Sequence, residues 1–86
     1  MDTKQIEYIL KIAEENNITK AAEKLFITQS ALNQQLLKLE RELGTPLFQR
    51  TKNKWCLTDA GRIYVEGARK MMQIKKEIEE ANKILK

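Results

Sequence analysis

Side chains that form directional hydrogen bonds are concentrated between residues 28 and 38. The amide, hydroxyl and basic groups there include Thr28, Gln29, Ser30, Asn33, Gln34 and Lys38. In a helix, Gln29 and Asn33 would lie one turn apart on the same face. A solvated helix face more often carries Glu and Lys, whereas an amide both donates and accepts hydrogen bonds. This row of amides therefore favours a surface that recognises the edges of bases over an ordinary solvated face.

Catalysis and metal binding have little support in the sequence. The chain has no histidine and a single cysteine, Cys56. Zinc sites need several Cys or His ligands, and hydrolytic triads are built on His, so both are excluded. The carboxylates are scattered among lysines and assemble no catalytic constellation. We therefore expect no enzyme and no cofactor in this chain, and we interpret Cys56 as a small buried strand residue.

Composition and charge indicate one small helical domain with an anionic partner. The 86 residues are 42% hydrophobic and 33% charged. Residues 20–58 hold seven Lys or Arg against three acidic residues, whereas residues 1–19 hold two against four. A nucleic-acid polyanion is the natural partner of such a basic segment. No apolar run approaches the roughly 18 residues of a membrane span, so a cytoplasmic protein is expected.

Two short helices are predicted before the amide row. The first would begin at Asp2 or Thr3, end at Asn16 and Asn17, and carry its apolar stripe at Ile6, Ile9, Leu10 and Ala13. Thr19 is predicted to cap the second helix, with Ile18 as an apolar staple before it. The buried side of the second helix would be Ala21, Ala22 and Leu25. Phe26 and Ile27 are expected to anchor the following turn to the core.

The third helix is the one that carries the amides. Thr28 would cap it, Gly44 would end it in a left-handed conformation, and Pro46 prevents its continuation. Its predicted buried side has spacings of 4, 3 and 4, at Leu32, Leu36, Leu39 and Leu43, with Ala31 beside them. Two helices joined by a short turn, the second with amides on its first turns, describe a helix-turn-helix.

A small basic hairpin is predicted after the third helix. Residues 47–50 and 54–57 would form its strands, around a turn of Thr51, Lys52 and Asn53. Next to a recognition helix such a hairpin is a wing able to follow phosphates or enter a minor groove. Its predicted contact residues are Arg50, Thr51, Lys52, Asn53 and Lys54. Trp55 is expected to lie over the hairpin and the core rather than on a nucleic acid.

A long helix is predicted from Thr58, its cap, to the last residue. Roughly 28 residues at 1.5 Å each give a rod of about 42 Å, longer than a small core needs. Its apolar residues follow a heptad pattern that indicates a coiled-coil seam and a homodimer. The predicted interface is Tyr64, Gly67, Ala68, Met71, Ile74, Ile78, Ala81 and Leu85. The alternatives are a helix that lies wholly on its own domain, or one covered in part by a downstream domain.

Five segments, at residues 19–25, 28–35, 39–44, 46–50 and 57–61, together resemble the N-terminal DNA-binding domain of LysR-type transcriptional regulators. The resemblance runs from Gln5 into the last helix. It implies a mainly α winged helix-turn-helix at residues 1–58, with a three-helix core and a two-stranded β wing, and a dimerisation linker helix at residues 59–86. It further implies a homodimer on double-stranded DNA with an inverted-repeat operator, the third helix in the major groove and the basic wing on the backbone or minor groove. In this family a small-molecule effector binds a C-terminal domain, so the chain resembles the DNA-binding portion of a longer regulator.

Three positions depart from the pattern of that family. Ser30 replaces the usual proline, Asn33 the usual serine, and Asn53 a frequent arginine. An amide at position 33 pairs best with adenine, so Asn33 is predicted to select an A·T pair in each half-site.

Two other functions remain open: a winged helix that only docks proteins, and a molybdate-responsive type of regulator with a similar winged domain.

Overall fold

The computed structural model describes residues 2–51 and 54–85, which form four helices and one hairpin. In chain order these are α1 (Thr3–Glu15), α2 (Ile18–Leu25), α3 (Gln29–Leu43), β1 (Phe48–Thr51), β2 (Lys54–Leu57) and α4 (Asp59–Leu85). The two strands pair antiparallel. The predicted winged helix-turn-helix with a long final helix is confirmed.

The first two helices begin at side-chain caps. Asp2 accepts a hydrogen bond from the backbone N–H of Gln5, and Asn16 ends α1 in the left-handed conformation with a φ of 53°. Asn17, in extended backbone, accepts from the N–H of Lys20 and begins α2. The prediction of Thr19 as the cap was therefore wrong. Asparagine is among the best capping residues, and starting the helix two residues earlier buries Ile18 within its first turn.

The core is built from isoleucines of α1 and leucines of α3. Its largest fully buried side chains are Ile6, Ile9, Ile12, Leu32, Leu36, Leu39 and Leu47. Ala21 and Ala22 of α2 are also buried, and small side chains there let α2 pack closely on its neighbours. The predicted burial of Leu43 and Ala31 was wrong, since both are exposed. Leu43 is the last residue of α3, where the helix leaves the core and Gly44 ends it in the left-handed conformation.

The turn between α2 and α3 exposes one aromatic residue and packs the next residue inward. Phe26 caps α2 in the left-handed conformation with a φ of 58°, and its side chain is 94% exposed. Ile27 is half-buried against the core. The expectation that both residues anchor the turn was therefore right only for Ile27. The left-handed residue reverses the direction of the chain, which directs Phe26 outward and Ile27 inward.

The hairpin and α4 are fixed to α3 by a few polar contacts. The N–H of Leu47 donates to Glu40 Oε2 at 2.6 Å, and Thr58 Oγ1 donates to the Pro46 carbonyl at 2.8 Å. The same Thr58 oxygen accepts from the N–H of Gly61 at 3.0 Å and caps α4, as predicted. Gly61 is buried so close to the Leu47 carbonyl that any Cβ would overlap it. The hairpin therefore sits between the end of α3 and the start of α4.

The first strand begins and ends one residue later than predicted. Phe48 pairs with Leu57, Arg50 with Trp55, and Thr51 with Lys54, so Thr51 belongs to β1 rather than to the turn. Cys56 lies in β2 as expected but is half-buried rather than fully buried. Lys52 and Asn53 lie outside the described residues.

The last helix extends well past the core. Only its first part is packed, at Gly61, Val65 and Ala68. The molecule is 49 Å in its longest dimension, against 19 Å in its shortest. None of the helices in residues 2–51 and 54–85 is both long and apolar enough to cross a membrane.

Candidate nucleic-acid interface

The predicted amide row lies at the beginning of α3, on the side opposite the core. Thr28 Oγ1 accepts the N–H of Ala31 at 3.0 Å and so starts the helix just before the first amide. Leu32, Leu36 and Leu39 hold the other side of α3 in the core. The predicted contact residues on this helix are therefore directed away from the domain. Gln29, Ser30, Gln34 and Lys38 are exposed, and Asn33 is half-buried.

Gln29 is held by the preceding helix. The hydroxyl of Thr19 donates to Gln29 Oε1 at 2.9 Å. This contact joins α2 to the first residue of α3 across the turn. Thr19 was predicted from the sequence to cap α2. In the structure it instead orients Gln29, a residue of the candidate interface.

Asn33 is held by the hairpin. Arg50 Nη2 donates to Asn33 Oδ1 at 3.0 Å, and the Arg50 guanidinium carbon lies 4.5 Å from the centroid of the Trp55 ring. A cation over an indole face is attracted by the ring quadrupole. The Trp55 ring in turn contacts Phe48, with centroids 5.7 Å apart and the rings tilted by 58°. Trp55 therefore lies over the hairpin and core, as predicted, and supports the side chain that contacts α3.

The hairpin itself is fixed relative to the helices. The N–H of Trp55 donates to the carbonyl of Asn16, at the end of α1, at 3.2 Å. A shallow depression lies between the hairpin and the start of α3. It is lined by Ile18, Gln29, Ser30, Asn33, Arg50 and Trp55. The structure thus brings the amide row and the base of the wing together on one surface.

The tip of the wing is only partly described. Thr51 Oγ1 donates to the Lys54 carbonyl at 2.7 Å, so this hydroxyl closes the hairpin. Lys54 is exposed. Lys52 and Asn53, which were also predicted to contact DNA, fall outside the described residues, and their contact role stays a prediction.

Positive charge is left uncompensated near the amide row. Lys24 is neutralised by Glu15, with Nζ and Oε2 2.7 Å apart. The hydrogen bond between them lowers the pKa of Glu15 and raises that of Lys24. Within residues 2–51 and 54–85, by contrast, the ion pairs do not involve Lys38, Arg50 or Lys54. These three cations therefore add to the potential that a polyanion would experience at this surface.

A second exposed feature is the apolar stripe of α4. Met71, Ile74 and Ile78 are about half exposed, and Leu85 is 83% exposed. Of the residues predicted for a dimer seam, Tyr64 and Ala68 instead turn to their own domain: Tyr64 packs against the core and Ala68 is buried. Ile63, which the heptad assignment missed, is 74% exposed and lines an apolar groove with Ile6, Gly67 and Met71. The stripe then runs through Ile63, Gly67, Met71, Ile74, Ile78, Ala81 and Leu85.

Comparison with known proteins identifies the family. The family model described as "Bacterial regulatory helix-turn-helix protein, lysR family" matches residues 3–62. The chain belongs to the lysR family. The expected resemblance to the DNA-binding domain of LysR-type regulators is confirmed at the level of this family.

Individual lysR-family relatives agree with the family assignment. The chain is 48% identical over 68 residues to the uncharacterised HTH-type transcriptional regulator YcgK of Bacillus subtilis, covering 79% of this chain and 21% of that protein. It is 39% identical over 74 residues to the HTH-type transcriptional regulator ClcR of Pseudomonas putida, covering 86% of this chain and 25% of that protein. The chain thus spans about a quarter or less of these relatives.

Solved structures of lysR-family domains have the same fold. The chain matches the BenM DNA-binding domain in complex with catB site 1 DNA with a TM-score of 0.94 and 30% identity, covering 99% of this chain and 96% of that one. It matches the CbnR DNA-binding domain in complex with DNA with a TM-score of 0.90 and 28% identity, covering 99% and 98%. The described residues therefore share the winged helix-turn-helix architecture of these domains.

Proposed function

We propose that this chain binds double-stranded DNA sequence-specifically as a homodimer and thereby regulates transcription. The observation that supports it best is the exposed amide row of α3, placed beside Arg50 of the wing on one surface. In this arrangement α3 enters the major groove, where Gln29 and Asn33 reach base edges. The cations of the wing contact phosphates or the minor groove, and they contribute affinity with little sequence preference.

The proposed dimer forms through α4. Three observations support it: the helix continues beyond its own core, its apolar stripe is exposed, and small Gly67 and Ala81 would allow close approach. Burying each large side chain of the stripe would contribute up to about 1.5–3 kcal/mol. Tyr64 and Ala68 contribute less than predicted from sequence, because their own domain already covers them. A two-fold dimer presents its two α3 helices symmetrically, so the operator is expected to be an inverted repeat.

We further propose that this part of the protein needs no cofactor. In this account a small-molecule effector would bind elsewhere in a longer regulator. The amide row and the wing are then sufficient for recognition of DNA.

Selection of bound duplexes from a random pool tests the proposed function. The wild-type chain is expected to enrich a defined sequence, and Asn33→Ala is expected to lose the preference at one base pair of each half-site. Non-specific affinity should stay nearly intact, because Asn33 carries no charge to attract phosphates. If the wild-type chain enriches no sequence, the chain is not a sequence-specific DNA-binding protein. A uniform loss across all duplexes with Asn33→Ala would make Asn33 a backbone contact.

A further inference from the structure

The contact between the hairpin and α3 decides which hydrogen-bonding group Asn33 presents. Arg50 Nη2 lies 3.0 Å from Asn33 Oδ1. Since a guanidinium has only donors, the amide atom facing it must be the oxygen, and the amide nitrogen with its two hydrogens is left for another partner. We propose that Arg50 is a positioning residue that presents Asn33 to the groove as a donor and so directs it to guanine rather than adenine. This inference rests on the proposed DNA-binding function.

Arg50 is itself held in place. Its cross-strand neighbour is Trp55, and the guanidinium lies 4.5 Å from the centre of that ring. Trp55 is fixed by its contact with the buried Phe48 and by its backbone hydrogen bond to Asn16. The position of the guanidinium, and with it the orientation of the Asn33 amide, is therefore set before DNA binds.

The orientation of the amide matters because guanine and adenine differ in the groups they expose. In the major groove guanine offers two acceptors, N7 and O6, whereas adenine offers the acceptor N7 and the N6 amine, which donates. A two-point contact with adenine requires Asn33 Oδ1 to accept from that amine. Here that oxygen faces the Arg50 guanidinium, so an adenine amine brought to it would lie against the hydrogen-bond donors of a cation. The two amide hydrogens of Asn33 instead match the two acceptors of guanine.

The structure thus changes the base expected from sequence alone. The prediction of an A·T pair treated the Asn33 side chain as free to use both of its polar atoms. With the Arg50 guanidinium against the oxygen, the amide nitrogen is the group left to face the base, and the expected base at that position is guanine.

Selection from a random duplex pool with matched variants tests this assignment. The pair contacted by Asn33 is first located as the pair whose preference disappears in Asn33→Ala. At that pair the wild-type chain is expected to prefer G over A by about 5- to 150-fold, the range of a discriminating two-point contact. Arg50→Met removes every donor while leaving the buried core intact, because Arg50 is exposed. This variant frees Oδ1 and should shift the preference at the same pair from G to A.

Two controls separate positioning from general affinity. Lys54→Met removes an exposed cation of the hairpin that is paired with Thr51 rather than Trp55. It should weaken binding on all duplexes and leave the preference for G unchanged. The pair assigned to Gln29 by the Gln29→Ala variant should also keep its preference in Arg50→Met, because Gln29 is held by Thr19 rather than by the hairpin.

Several outcomes would overturn the proposal. A wild-type preference for A at the Asn33 pair would do so, as would an unaltered preference for G in Arg50→Met with only uniformly weaker binding. A selection in which Asn33→Ala alters no pair would show that Asn33 does not contact bases. These results differ from failure of the proposed function, in which the wild-type chain would enrich no sequence at all.

Discussion

Tyr64 has a buried hydroxyl group that makes no hydrogen bond. Its ring packs against the core. Among the described residues, its hydroxyl is the only buried side-chain polar atom without a hydrogen-bond partner. Burial raises the pKa of Tyr64, because a phenolate would lose its hydration there.

Tyr64→Phe is expected to raise the free energy of unfolding at neutral pH by up to about 1 kcal/mol, since an unpartnered buried polar group is costly. Below the ordinary tyrosine pKa of about 10, ionisation of Tyr64 does not affect the free energy of unfolding of the wild-type chain. Above it, that free energy falls until the pH passes the raised pKa of the folded state, because the unfolded chain loses the Tyr64 proton more readily than the folded one. The variant should lack this alkaline decline. Urea unfolding at neutral and alkaline pH measures both effects, with Tyr8→Phe as the matched control. A clear loss of stability in Tyr64→Phe at neutral pH would contradict this account.

Individual residues of the interface differ in how far the sequence predicts them. The placement of Gln29, Ser30 and Gln34 follows from local spacing, because a capped helix with leucines on one side must expose the other. The contact between Asn33 and Arg50 joins residues 17 apart and depends on the hairpin register. A three-residue turn, as predicted, would have set Arg50 opposite Lys54 rather than Trp55. Nothing in the local pattern connects Thr19 with Gln29, which are 10 residues apart.

At the scale of elements, the sequence predicts the helices well and their ends less well. Helical periodicity predicts most of the core side of α3 and part of that of α1, where it finds Ile6 and Ile9 but misses the fully buried Ile12. The end of α3 at Gly44 and the start of α4 at Thr58 follow from capping. The start of α2 was misplaced because Asn17 and Thr19 are both good caps, and the choice depends on the burial of Ile18 against other helices. The exposure of Phe26 depends on its left-handed backbone, a conformation that non-glycine residues adopt uncommonly.

The wing is expected to act mainly through phosphates. Alanine at both Lys52 and Lys54 should lower the slope of log affinity against log salt by about 0.9 for each phosphate that the variant no longer neutralises. Titrations of one duplex at several salt concentrations measure that slope. Lys83→Ala, which removes a cation near the far end of α4, is the matched control and should leave it unchanged. An unaltered slope in the double variant would show that these two lysines do not contact phosphates.

The junction between the hairpin and α4 requires glycine at position 61. A Cβ there would overlap the Leu47 carbonyl, whereas a Cβ on Gly67 meets nothing within 4 Å. Gly61→Ala should therefore destabilise the domain by about 1–3 kcal/mol through overpacking. Gly67→Ala should stabilise it by about 0.5–1 kcal/mol, since alanine favours a helix interior. Both variants are compared by urea unfolding in an Ile78→Glu background, so that dimer contacts do not contribute to the measured free energy of unfolding. Equal effects of the two alanines would be inconsistent with the close contact at Leu47.

At the scale of the whole molecule, the exposed stripe of α4 indicates a second copy of the chain. Ile78→Glu would place a charge within the stripe and should yield monomers at micromolar concentration, as measured by sedimentation equilibrium. Ile84→Glu is the matched control: Ile84 is 84% exposed and lies six residues away, about 120° from Ile78 around the helix. It should leave the dimer intact. A dimer mass that survives Ile78→Glu would remove α4 from the interface.

The central claim is that two copies of this chain recognise one inverted-repeat sequence. Native mass spectrometry of the wild-type chain on a duplex carrying the enriched sequence tests it most directly. The expected result is two chains on each duplex with both half-sites, with little bound to a scrambled duplex of the same length at moderate salt. One chain per duplex, or equal occupancy of the enriched and scrambled duplexes, would contradict the claim.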